Sequence, residues 1–172
     1  MDGVYIASRR RGPLQILLNQ ALCRLVAEFL AQEWCYHRFI PRGAVAFGPV
    51  YHGDAIDPET SHALAAHTAT RDSILVGLPV VQAFRAERDA PPFGIAAHSS
   101  ARAFGPEDDE PFRFIWLDWF RSSVPPVNTD RLLEELDRYF KWQQDHCNMT
   151  GYEQPRIEHH KKLAQEYFSA SE

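Results

Sequence analysis

The segment Pro41–Gly53, which reads PRGAVAFGPVYHG, decides the fold of this chain. Small and β-branched residues from Arg42 to His52 predict a strand, and Gly43 and Gly48 interrupt it where only glycine allows a free bend or a close backbone approach. We therefore expect a strand, or a bent pair of strands, at the centre of the fold.

Apolar residues at intervals of three and four predict helices on both sides of this segment. In the first of these helices Pro13 suits an N-terminal position, and Asn128 or Thr129 can cap a later one. The predicted helices are Leu14–Trp34, Leu78–Arg88, a helix from Asn128 or Thr129 to about Cys147, and Ile157–Phe168, which Pro155 opens.

Shorter β-prone runs predict further strands at Val4–Ala7, Phe93–His98 and the aromatic Phe112–Phe120. Gly53–Arg71 reads as a loop with one helical turn around residues 61–67, and residues 105–110 form a polar, acidic loop. This order of strands and helices predicts an α/β or α+β domain over residues 1–125. We expect a C-terminal helical extension, residues 126–172, to pack on the same domain.

The bulk composition limits the classes of function. The chain has 172 residues, a formal net charge of −5 and 45% hydrophobic residues, which fits one globular domain. The acidic balance gives no reason to expect nucleic acid or an anionic membrane as a partner. Three cysteines without CxxC spacing favour a reducing compartment, and no run approaches the roughly 18 apolar residues of a membrane span, so we expect a cytoplasmic protein.

Three segments in this order resemble the class III nucleotide cyclase family, which makes cyclic nucleotides with two metal ions. They are RGAVAFG at residues 42–48, GLPVVQAFRAE at residues 77–87, and the strand at residues 93–98. Upstream, Asp2-Gly3-Val4 is similar to the turn and strand that carry a metal-binding aspartate in that family. The chain also resembles a subgroup of uncharacterised bacterial cyclase-like proteins and the pyrimidine cyclases of phage defence. This resemblance is carried by Gly77-Leu78-Pro79, the aromatic segment Phe112–Phe120 and His159-His160-Lys161-Lys162.

The resemblance implies a ferredoxin-like cyclase sheet covered by helices, whose first strand and helices are missing from this sequence. It implies Asp2 as a ligand of Mg²⁺ or Mn²⁺ and Arg85 as the catalytic arginine that stabilises charge in the transition state. It also implies that the substrate, a nucleoside triphosphate, is bound by Arg42, Gly43, Gly48 and Gly77. A homodimer with shared sites is the expected assembly.

Cyclisation needs two carboxylates, because a pair of hard cations clamps the attacking and leaving oxygens. Asp2 matches only one of them. Two further positions depart from the family. Val81 stands where the family has an asparagine that orients the ribose, and Ile74 stands where the family has the aspartate that recognises a purine base. The sequence therefore does not predict which base the substrate carries. The chain is thus expected to be a cyclase if it is completed by N-terminal residues, or else a catalytically inactive nucleotide-binding or dimerisation module.

Each site residue also has a plain structural interpretation. Asp2 can be a solvated N-terminal residue, Arg85 a solvated helix residue, and Arg42 a residue at a sheet edge. An unrelated ferredoxin-like interaction domain is the third hypothesis. The spacing of the histidines disfavours a metal site. The sequence also lacks the G-x-S-x-G motif that would indicate a serine hydrolase.

Overall fold

A computed structural model describes residues 4–55, 66–106, 109–121 and 123–169. The chain is a mixed α+β protein in which helices predominate over short strands. Its helices and strands are α1 (Arg11–Ala31), β1 (Gly43–Val45), β2 (Tyr51–His52), α2 (Thr68–Asp72), β3 (Leu75–Val76), α3 (Leu78–Ala86), β4 (Ile95–Ala97), α4 (Ser99–Ala103), α5 (Thr129–Asp145), α6 (Cys147–Thr150) and α7 (Gln154–Ser169). Single 3₁₀ turns lie at Cys35–His37, Gly53–Ala55 and Glu87–Asp89.

The central segment forms a bent pair of strands, as predicted. β1 pairs in parallel with β4, with Gly43 opposite Ile95 and Val45 opposite Ala97. The chain then bends at Gly48, whose φ of +150° is rare for residues with a side chain. After this bend β2 pairs antiparallel with β3 in a second small sheet.

Two predicted strands are not formed. Residues 4–7 have no regular structure, and Val4 is 89% exposed. In the aromatic segment 112–120 only Trp116 bridges to the sheet, opposite Ala96. The chain leaves the sheet after Leu117, and the indole of Trp119 donates a 2.8 Å hydrogen bond to the carbonyl of Phe93. A β-prone composition makes a strand only where a partner edge is available.

The predicted helices are confirmed, with shifted ends. α1 begins at Arg11, three residues earlier than expected, and the carboxylate of Asp109 accepts a 2.6 Å hydrogen bond from the Arg11 backbone N–H at this end. The side chain of Asn128 caps α5 by accepting from the backbone N–H of Arg131 at 2.9 Å. The predicted helical turn at residues 61–67 lies largely outside the described residues.

The core is built around Phe93, which is fully buried. Its φ of 55° is unusual for a bulky residue, and three contacts hold it. Its N–H donates to Pro41, its carbonyl accepts from Trp119, and its ring meets the Phe29 ring edge-on at 5.2 Å. The C-terminal helices share this core through Leu132, Leu136, Tyr139, Phe140, Ile157, Ala164, Tyr167 and Phe168.

Helix α1 has the length and apolar composition of a helix that could cross a membrane, contrary to the expectation from the sequence. Core helices and signal sequences meet the same criterion, so this is weak support for a membrane span. In the structure, 17% of its most apolar window is buried. Leu22, Val26 and Phe29 are the residues that enter the core.

Candidate functional site

A large groove runs along β1 and α1, with a volume of about 2160 Å³. Its apolar walls come from α1, through Leu14, Leu18 and Leu22, and from α3, through Val80 and Ala83. The residues of β1, Gly43–Val45, also line the groove. The groove is therefore bounded by apolar helix residues and by this short strand.

The groove has two distinct ends. Arg9 and Arg10 line it where α1 begins, whereas Tyr139 lines it near Phe29, in the last turns of α1. The rings of Phe29 and Tyr139 lie 5.8 Å apart. Because a helix rises 1.5 Å per residue, the helix from Arg11 to Phe29 is about 27 Å long.

The second end carries a polar cluster centred on Arg42. A terminal nitrogen of Arg42, Nη2, lies 2.6 Å from Oε1 of Glu87, and this arginine side chain is only 11% exposed. Its other terminal nitrogen donates a hydrogen bond to Nε2 of His160. Nδ1 of His160 is in turn bonded to the hydroxyl of Tyr152. Arg156 lies over the ring of Tyr152, at 4.9 Å from its centroid.

These contacts fix the protonation of His160. A guanidinium can only donate, so Nε2 of His160 must accept and the proton resides on Nδ1, facing Tyr152. Burial, followed by the positive charges of Arg42 and Arg156, lowers the pKa of His160 to about 3. Burial also raises the pKa of the Tyr152 hydroxyl. At neutral pH the charged members of the cluster are Arg42, Arg156 and Glu87.

Gln143 brings an unsatisfied acceptor to the same end of the groove. Its amide nitrogen donates to the hydroxyl of Tyr139 at 2.6 Å, and the residue is 7% exposed. Its oxygen, Oε1, has no hydrogen-bond partner among the described residues. A buried acceptor without a partner is costly, and it is normally explained by a missing donor.

Three of the predicted substrate-binding residues line this groove: Arg42, Gly43 and Gly48. Gly77 does not line it and has a packing role, because a Cβ there would lie 2.6 Å from the carbonyl oxygen of Pro49. A Cβ at Gly48 would lie 2.9 Å from Cγ of Pro79. Because Gly48 and Gly77 have no Cβ, the segment after β1 can lie close to the start of α3.

The predicted catalytic residue, Arg85, lies outside the groove. Arg85 is exposed on α3 and is not among the residues that line the groove. Asp2 lies outside the described residues. Within the described ranges, no group of three or more His, Cys, Asp or Glu side chains could hold a metal ion.

A second polar cluster, around Ser100, has a structural role. The Ser100 hydroxyl accepts from the Phe47 backbone N–H at 3.0 Å and lies 2.9 Å from Nδ1 of His98 and 3.2 Å from Oε1 of Gln82. It thus ties the end of β1 to α3 and α4. His98 Nδ1 also accepts from the Ser100 backbone N–H, so this ring caps its own helix.

Sequence reasoning missed Tyr152, Gln143, Glu87 and Arg156 as site residues. One signal was present, because Arg156 and His160 are four residues apart on a predicted helix and so share a face. The adjacent residues His159 and His160 point to different sides of α7, since His159 is exposed and His160 is buried.

No family model, curated protein or solved structure matches this chain.

Proposed function

We propose that this chain is a nucleotide-binding module of cyclase-like architecture, which binds a nucleoside triphosphate at the Arg42 end of the groove. The observation that carries the proposal is the pair of arginines, Arg42 and Arg156, that lines one end of the groove. An arginine fork suits phosphate oxygens. The apolar walls offer a surface for the base.

The charges of the cluster favour an anion. Glu87 neutralises Arg42, and His160 is neutral, so Arg156 supplies a net positive charge at this end of the groove. Arg156 is exposed and can move toward a ligand. Arg42, by contrast, is held by Glu87 and His160 and would present a fixed geometry.

The order of elements supports the cyclase-like, ferredoxin-type sheet as a proposal. β1, α3 and β4 occur in the order strand, helix and parallel strand, with β2, α2 and β3 between β1 and α3. This is the order of the three segments that resemble the family. Catalysis as a nucleotide cyclase is the second candidate. It would require Asp2, a second carboxylate, Mg²⁺ or Mn²⁺, and the approach of Arg85, with a homodimer as the assembly.

A cytoplasmic location belongs to the same proposal. Cys23, Cys35 and Cys147 are all free thiols, which suits a reducing compartment.

Titration of the purified chain with ATP, GTP, CTP and UTP, each with Mn²⁺, tests the proposal by calorimetry. We expect at least one of the four to bind. Arg156→Gln should weaken that binding by about 1.5–3 kcal/mol, the usual value of a hydrogen bond to a charged group.

The matched control is Arg131→Gln, which removes an exposed arginine of α5 that does not line the groove. It should bind nucleotide like the unmodified chain. If none of the four nucleotides binds at millimolar concentration, the proposed function is wrong. Chromatography of the same mixtures tests the second candidate function, catalysis as a nucleotide cyclase. That function requires that a cyclic nucleotide forms and that the Arg85→Gln variant no longer forms it.

A further inference from the structure

β1 is an edge strand, and its residues line the groove. One side of β1 pairs with β4, and the far side of β4 is bonded to the segment around Trp116. Within the described residues, the other side of β1 pairs with no strand. An open edge is a template for pairing with another strand, and proteins normally shorten, charge or cover such edges.

The hydrogen bonds of β1 identify the groups on the free edge. The Gly43 N–H donates to Gly94 at 3.0 Å, and the Val45 carbonyl accepts from His98 at 2.9 Å. In a strand the backbone groups of successive residues point to opposite edges, so the N–H and C=O of Ala44 face away from β4. Gly43 and Ala44 line the groove, have little or no side chain and are half-buried.

The groove wall also contains a second β-prone segment. Val4–Ala7 lines the same groove, and Val4, Tyr5 and Ile6 are 89%, 52% and 48% exposed. The sequence predicts a strand for these residues, but they have no regular structure. An extended segment in the groove would offer them a partner edge and would cover their apolar side chains.

The charges along the groove favour an acidic occupant. Among the described residues, four arginines line it against two carboxylates, and both carboxylates are already engaged. Glu87 pairs with Arg42, and Asp109 accepts from the Arg11 N–H. Arg9 and Arg10, at the end of the groove remote from the nucleotide cluster, are left to attract an anion. This local excess of positive charge contrasts with the net charge of −5 of the whole chain.

We propose that the groove binds an extended strand of a partner polypeptide, which adds to β1 through the backbone of Ala44. The strand carries apolar side chains for the helix walls and a carboxylate for Arg9 and Arg10. About eight residues in β conformation match the length of about 27 Å of α1 from Arg11 to Phe29, at about 3.3 Å per residue. Recognition is of the β-augmentation type, in which main-chain hydrogen bonds give affinity and side-chain pockets give specificity.

The test uses a synthetic fluorescein-labelled octapeptide of alternating valine and threonine with aspartate at both ends, titrated into the full chain and followed by anisotropy. The same peptide with lysine in place of aspartate should bind at least tenfold more weakly. Two further peptides carry N-methyl groups at alternate residues, one in each register. At least one of them should lose tenfold or more in affinity, because methylation removes the N–H donors that face a strand edge.

Ala44→Pro removes the N–H on the free edge and leaves the bonds of Gly43 and Val45 to β4 in place. It should reduce peptide binding at least tenfold, whereas Ala44→Ser, which keeps the N–H, should not. If Ala44→Pro does not fold, the methylated peptides on the unmodified chain still decide the question. Equal binding of all four peptides, or no binding of the aspartate peptide at millimolar concentration, would overturn the proposal.

Discussion

The two strands of the parallel pair have opposite surroundings. β4 is enclosed, since Ile95, Ala96 and Ala97 are buried and both strand edges are hydrogen-bonded. β1 shares one edge with β4, and among the described residues its other edge pairs with no strand. The residues of β1 also line the groove.

The largest difference in stability between the two regions is expected when a buried side chain next to β4 is truncated. Phe93→Ala should lower the free energy of unfolding by about 3–5 kcal/mol, because the ring is fully buried and its removal leaves a cavity. Urea unfolding followed by circular dichroism measures the loss. The matched change Phe114→Ala, at a residue that is 72% exposed, should cost less than about 0.5 kcal/mol. Similar losses in both variants would contradict the packing described for β4.

The buried His160 should make the polar end of the groove sensitive to acid. Its pKa is lowered from the ordinary value of 6.5 to about 3 in the folded chain, so between these two values the unfolded chain binds the proton and the folded chain does not. The stability is therefore unaffected by this group above about pH 6.5 and decreases as the pH falls toward 3. The loss is at most about 1.4 kcal/mol per pH unit, or about 2 kcal/mol at pH 5.

Urea unfolding at pH 7, 6 and 5 measures this dependence. His160→Gln should remove most of it, because glutamine does not titrate. His159→Gln, a change at the exposed neighbouring residue, should leave it intact. A pH dependence that persists unchanged in His160→Gln would show that the buried imidazole is not its source.

A smaller effect is expected at the bend after β1. Gly48→Ala should cost about 1–3 kcal/mol, because alanine is strained at a φ of +150° and its Cβ would lie 2.9 Å from Pro79. Gly12→Ala, in the first turn of α1 with nothing within 4 Å of the added Cβ, should instead stabilise the chain by about 0.4–1 kcal/mol. Thermal unfolding of both variants gives the comparison, and the same sign for both would refute the role of Gly48.

Local sequence patterns predict the helices well. α5 carries a strong three-and-four spacing and its own cap at Asn128, so its ends can be predicted to within about two residues. The strands are harder to predict, because a strand needs an edge that comes from elsewhere in the chain. Residues 4–7 have a β-prone composition but pair with no strand among the described residues, and the aromatic segment keeps a single bridge at Trp116.

The same distinction applies to the candidate site. Arg42, Gly43 and Gly48 lie in one continuous segment, and all three line the groove. The partner of Arg42, His160, is 118 residues away in the sequence, and no local pattern joins the two. The Gln143 oxygen could not be predicted either, because whether a buried acceptor is satisfied depends on every element packed around it.

The open edge of β1 is tested most directly by amide hydrogen exchange, followed by nuclear magnetic resonance. In the free chain the N–H of Ala44 should exchange orders of magnitude faster than those of Gly43 and Val45, which face β4, and addition of the aspartate peptide should slow it. Equal protection of Ala44 and its two neighbours in the free chain would contradict an open edge at β1.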